Sequence, residues 1–227
     1  MGGWLHRVGE PRGFVPARPV PVREGPHPDF SLLWMRWRDS TDPYHLDGFA
    51  MSLGVDTDAL RSLGCAWSGR AWAFPMRDAG RKITGIRLRN DSGDKWAVTG
   101  SKQGLFIPDE KPDSTLYVLE GPTDAAAALS LGLFAIGRPS CMGCEEYVKA
   151  FVRINRISRT IIVTDNDAPG LRGASKLQNA LPVMNVCWSP PCKDLREFVR
   201  MGGSRQLLES MVKDLVWQRP FSNAPTP

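Results

Sequence analysis

The chain has 227 residues and a mass of 25.1 kDa, which allows one domain with appendages or two small ones and excludes a large modular machine. Hydrophobic residues make up 42% and charged residues 23%, with a formal net charge of +5, the balance of a globular protein with a core rather than of a disordered chain. No run approaches the ~20 apolar residues that span a bilayer, and the start lacks the apolar stretch of a secretory signal, so the expected location is the cytoplasm, with no membrane partner.

Residues 1–30 hold six prolines and four arginines with little periodic hydrophobicity, and read as an extended, disordered arm. Two short helical patterns follow at residues 46–53 and 56–63, packed through Phe49, Leu53, Leu60 and Leu63; Asp56 or Thr57 caps the second and Gly64 ends it. From Cys65 the period shifts towards 2, with strands predicted at 71–76, 82–89 and 96–99, separated by Asp78-Ala-Gly80 and Asn90-Asp-Ser-Gly93. In the second of these, Ile86 and Leu88 share one face and Arg87 and Arg89 the other, so one side is core and the other cationic.

The positive excess is local. Residues 64–102 contain eight Lys/Arg (Arg70, Arg77, Arg81, Lys82, Arg87, Arg89, Lys95 and Lys102) against three acids (Asp78, Asp91 and Asp94), so 8 − 3 = +5, the whole net charge of the chain. Such a stretch is either a phosphate-facing surface or a solvated β-surface that happens to be basic. Trp34, Trp67, Trp72 and Trp96 are expected in core positions before base-stacking ones. A connector, Gly104-Leu-Phe-Ile-Pro108 with the acidic segment after it, closes the 31–113 region.

Residues 114–202 alternate strand-like stretches (115–120, 133–136, 160–164, 183–188) with helix-like ones (123–131, 144–154, 171–181), and a helix and tail complete the chain at 203–227. The order implies a parallel sheet with helices on its faces, an α/β architecture. Ligands of such sheets bind in the crevice beyond the carboxyl ends of the strands. The first strand ends there in Glu120-Gly-Pro-Thr-Asp124 and the third in Asp165-Asn-Asp167-Ala-Pro-Gly170. In extended geometry Asp165 and Asp167 face the same way and can share a cation. Carboxylates so gathered repel one another unless neutralised, and their hard oxygens suit Mg²⁺ or Mn²⁺.

This combination, strand-Glu-Gly-x-x-Asp, a further βα unit, then strand-Asp-x-Asp-x-x-Gly, resembles the TOPRIM fold, and within it the catalytic core of DnaG-like and phage-type DNA primases. Asp194, in Pro190-Pro-Cys-Lys-Asp-Leu-Arg-Glu-Phe198, matches the later acidic motif of that branch, and residues 72–106 resemble the small basic α+β subdomain that precedes it. The resemblance implies a primase-like nucleotidyltransferase making short RNA on single-stranded DNA from ribonucleoside triphosphates. Glu120, Asp165 and Asp167 are its implied catalytic acids and ion ligands, with Asp124 and Asp194 as supporting metal ligands. Arg87, Arg89, Lys95 and Lys102 are candidate contacts to template or nucleotide phosphates, and Lys193 to the triphosphate. The rivals are a nuclease using the same acids, and a non-catalytic DNA-binding replication module of a phage or mobile element.

The sequence departs from the pattern in places. Arg196 stands where many primases carry a second acid, with Glu197 following. Residues 1–64 hold no cysteine for the N-terminal zinc-ribbon of such enzymes, and no Gly-x-x-x-x-Gly-Lys-Ser/Thr loop marks a helicase, so a replicative helicase or a zinc-ribbon protein acting in trans is the implied partner. Cys141-Met-Gly-Cys144 with Cys187 and Cys192 offers a four-cysteine zinc set by spacing, but the implied topology sets the two pairs apart and favours idle thiols. His6, His27 and His45 show no ligand spacing and read as surface or packing residues.

Overall fold

The computed structural model describes residues 28–219; most of the 1–30 arm, with His6 and His27, and the end of the tail lie outside the described residues. The chain there opens with a helix the sequence reading lacked, α1 (Phe30–Asp39), capped by Asp29, whose carboxylate accepts the Ser31 and Leu32 N–H groups at 2.9 and 3.1 Å. Its weak signal has a plain cause: Trp34 is its one buried residue, so it carries no broad apolar stripe. The Trp34 indole donates to the Gly64 carbonyl at 2.7 Å. Helix α2 (Pro43–Leu53) starts earlier than its apolar pattern because Asp42 caps it and Pro43 suits a first turn; α3 (Thr57–Ser62) follows.

The basic region is an antiparallel sheet of four strands in sequential order: β1 (Ala66–Trp67), β2 (Trp72–Arg77), β3 (Ile83–Arg89) and β4 (Lys95–Ala97). Its alternation is as predicted. Ile86 and Leu88 pack with Trp34 and Ala73 under α1, while Arg87 and Arg89 lie opposite Phe74 and Trp72 on the other face. That second face is not a solvated surface. Trp72 and Phe74 are buried in a core with Phe49 of α2 and Leu60 of α3, Phe49 stacks on Trp72 at 4.4 Å, and His45 packs against both Trp67 and Trp72 at 4.6 Å.

The second sheet is parallel, in the order β6-β5-β7-β8: β5 (Thr115–Glu120), β6 (Ala135–Arg138), β7 (Arg159–Val163) and β8 (Met184–Trp188). The crossovers are α4 (Gly121–Ser130), α5 (Glu145–Ile154) and α6 (Ala168–Ala180), followed by α7 (Leu195–Arg200) and α8 (Arg205–Lys213). Val148, Phe151 and Leu177 of α5 and α6 cover one face; Ala127, Phe198 and Leu208 of α4, α7 and α8 cover the other. The central strands β5 and β7 are therefore buried on both sides, which is why they read as unbroken apolar runs.

The connector stitches the sheets together. Leu105 exchanges backbone hydrogen bonds with Arg77 of β2 at 2.7 and 2.8 Å, and Phe106 does so with Gly137 of β6 at 2.9 and 3.0 Å. Phe106 is fully buried in the core that holds Trp72 and Phe74 together with Ala125 and Ala126 of α4. The cationic face of β3 is thereby turned towards the carboxyl ends of the parallel strands. Among the described residues no helix is long and apolar enough to cross a membrane.

Candidate functional site

Between the two sheets lies a cavity of about 340 Å³. Glu120, Asp124, Asp165 and Asp194 line it from the parallel sheet, Arg87, Arg89 and Lys95 from the antiparallel one, and Lys193 and Arg196 from the segment after β8. Lys102 is exposed and Asp167 lies beyond the lining, so of the predicted site residues the fold gathers all but these two around one space.

Local chain geometry positions each acid. Glu120 ends β5 as the chain turns sharply into α4 through Gly121, whose φ of +82° only glycine adopts without strain. Glu120 sits at the helix start without bonding to it, and its Oε1 is buried with no partner. Burial pushes its carboxyl up, Arg138 opposes this, and Asp167 and Asp124 add to it. Asp124, in the first turn of α4 and only 8% exposed, is pushed up to about 7 by burial and by Asp194. Its Oδ1 accepts the Arg196 backbone N–H at 3.2 Å. Asp165 is pushed up to about 6 by burial, Glu120, Asp194 and Asp167, with Lys95 opposing.

The expectation that Asp165 and Asp167 lie side by side on an extended strand is corrected. Strand β7 ends at Val163, and the chain then turns tightly, the Asp167 N–H donating to the Asp165 carbonyl at 2.8 Å. Asp165 consequently faces the cavity, while Asp167 is exposed and caps α6 through a 2.7 Å bond from the Gly170 N–H. A side chain at Gly170 would collide with the Asp165 carbonyl, so glycine there permits the turn. Asp194 likewise caps α7, accepting the Glu197 N–H at 2.8 Å, and the Asn166 N–H ties the two loops by donating to the Lys193 carbonyl at 2.8 Å.

Among the described residues, no three His, Cys, Asp or Glu side chains stand close enough to hold an ion as they are. Asp167 and Asp194 are engaged instead as helix caps. The donor chemistry fits a hard divalent cation all the same: the acids are oxygen donors, burial and mutual repulsion resist their ionisation, and one buried carboxylate oxygen is unsatisfied.

In the basic wall Arg87 is anchored, donating to the Pro139 carbonyl at 3.0 Å. Burial pulls the Arg89 guanidinium and the Lys95 ammonium down, and their cationic neighbours add to it. Sequence reasoning missed Arg138. It is fully buried at the end of β6, in register with Glu120, with Nη1 donating to the Cys141 carbonyl at 2.9 Å and Nε and Nη2 unpartnered. Ending the predicted strand at residue 136 left Arg138 in a loop; two more residues of pairing would have put it beside Glu120. The cysteine pairs follow β6 and flank the end of β8, at opposite edges of the sheet, and burial pushes the Cys187 thiol up to about 11.

No protein-family model and no curated protein matches the chain. Solved structures do. The primase fragment of the bacteriophage T7 primase-helicase protein aligns with a TM-score of 0.57 at 18% identity, covering 71% of this chain and 72% of that one. The Aquifex aeolicus primase, zinc-binding and RNA polymerase domains together, aligns at 0.66 and 14% identity over 82% of this chain, which spans 61% of that protein. A DnaG primase catalytic domain solved bound to single-stranded DNA aligns at 0.62 and 13% identity, covering 81% and 76%. The chain thus has the fold of primase catalytic cores, a four-stranded parallel sheet flanked by helices and preceded by an antiparallel one.

Proposed function

We propose that this protein is a primase-like nucleotidyltransferase that synthesises short RNA primers on single-stranded DNA from ribonucleoside triphosphates. The observation that carries the reading is the cavity in which acids from three strand ends oppose arginines and a lysine from a second sheet, on a primase-core fold. Acids alone fit many sites; acids facing a cationic wall fit a reaction between polyanions.

Glu120 and Asp165, joined by Asp167 if it turned inward from its cap, would hold Mg²⁺ or Mn²⁺, with Asp124 and Asp194 lining the adjoining part of the cavity. The bound ion supplies charge neutralisation on the triphosphate and on the departing pyrophosphate. Arg87, Arg89 and Lys95 take phosphates of template or nucleotide, and Lys193 reaches the triphosphate. Glu120, with its free oxygen, also accepts the proton of the attacking hydroxyl. A zinc-ribbon protein for template selection and a replicative helicase for unwinding are the partners this reading suits; the T7 structure with this fold is a fragment of a primase-helicase protein.

The test is incubation with labelled single-stranded DNA, Mg²⁺ or Mn²⁺ and ribonucleotides. Nucleotide-dependent elongated products are expected, reduced on the order of 10³-fold in Asp165→Ala, about 4 kcal/mol of transition-state stabilisation. Cleavage that needs no nucleotide would make the protein a nuclease. DNA binding with neither product, even with helicase and zinc-binding partner present, would make it a binding module.

A further inference from the structure

We infer that Arg196 is a built-in counter-cation that closes the Asp124–Asp194 half of the cavity, so that the site takes a single divalent ion, on the side of Glu120 and Asp165. The inference rests on the metal reading above and deepens it.

Arg196 serves both acids of that half. Its backbone N–H donates to Asp124 Oδ1 at 3.2 Å, and its guanidinium Nη2 stands 3.7 Å from Asp194 Oδ2. Two other oxygens have partners too: Asp194 Oδ1 caps α7 at 2.8 Å, and Asp124 Oδ2 lies 3.5 Å from the Thr123 hydroxyl. An incoming ion there would compete with the guanidinium for Asp194 and with the backbone N–H groups for lone pairs of both acids. Glu120, by contrast, keeps a buried oxygen without a partner.

The positive charge is near and largely out of water. The Arg196 side chain is 22% exposed and rises from the first turn of α7, a helix packed on α4 that fixes its backbone. Water therefore screens its charge less than on an open surface. Across the cavity, Arg89 and Lys95 line the same space as Arg196. A second dication in this half would thus meet three cationic side chains, whereas a guanidinium already supplies there the neutralisation that an ion would bring.

Titration of the intact protein with Mn²⁺, followed by the electron paramagnetic resonance signal of the free aquo-ion, tests this without any turnover. The wild type is expected to bind one ion. Arg196→Glu and the milder Arg196→Gln are expected to bind two, Arg196→Glu with the spectrum of a spin-coupled pair. Adding Asp194→Asn to Arg196→Glu should return the count to one, and Arg196→Lys should keep it at one. Circular dichroism and the thermal midpoint show which variants are folded. Two ions in the wild type, or one in both folded Arg196→Glu and Arg196→Gln, would overturn the role of Arg196 and leave the metal reading standing. No ion bound by the wild type at millimolar Mn²⁺ would remove the metal reading, and the inference with it.

Discussion

The two sheets that meet at the cavity present charge in different ways. In the antiparallel sheet the cations stand on a strand face: Arg87 and Arg89 alternate with Ile86 and Leu88 along β3, and Lys95 faces Arg89 from β4. In the parallel sheet the strand interiors are mostly apolar and the acids gather where strands stop, Glu120 at the end of β5, Asp165 after β7 and Asp194 before α7. A half-buried strand has a free face to spend on function, whereas a strand buried on both sides has only its end. The acidic wall consequently depends on turns and helix starts, and the basic wall on a two-residue period.

The largest expected effect breaks the joint between the walls. Phe106 is fully buried where the two sheets share a core, so Phe106→Ala should lower stability by about 3–5 kcal/mol, read from urea unfolding. A single transition in both proteins is the expected form; separate transitions for the two sheets would show that the shared core does not couple them.

The next effect belongs to the acidic wall. Folding holds Asp124 at about 7 and Asp165 at about 6, against an ordinary value of 3.8, so between pH 4 and 7 the folded chain keeps protons that the unfolded chain has released. The metal-free protein should therefore be most stable at the acid end of this window and lose roughly 2–4 kcal/mol as pH rises through it, the reverse of salt-bridged carboxylates. Thermal midpoints from pH 5 to 8 measure the slope, and Asp124→Asn should flatten it. A midpoint that climbs with pH across this range would contradict the crowding of these acids.

The smallest effect sharpens the basic wall. Arg89→Gln should weaken single-stranded DNA binding by about 1 kcal/mol and reduce the salt slope by roughly one ion. Lys102→Gln, outside the cavity, should change neither; equal losses from both would spread the interface over the whole basic region rather than the cavity wall.

Much of this was legible in the order of residues. The β-α-β alternation rests on apolar runs and helix caps, which are local, and so do the acids at the strand ends and the glycines at 121 and 170. Helix α1 escaped because a helix with one buried residue lacks the periodic stripe that betrays the others. The Asp165–Asp167 geometry escaped because the strand's end was judged by composition, while the turn is decided by the Asp167 cap and the room at Gly170. Arg138 escaped because its meaning lies in its register with Glu120 on a neighbouring strand.

The sequence by itself determined most of the elements, their order, and the signs of charge that each unit carries, since these follow from periodicity, capping and residue type within a few positions. Only the tertiary structure decided that the basic face of β3 is turned to the acidic rim, that Lys102 and Asp167 lie outside the cavity lining, and that Arg196 stands against Asp124 and Asp194. The reason is physical: contacts between residues far apart in the chain are set by which buried surfaces join, here through Leu105 and Phe106, and no local pattern encodes that choice.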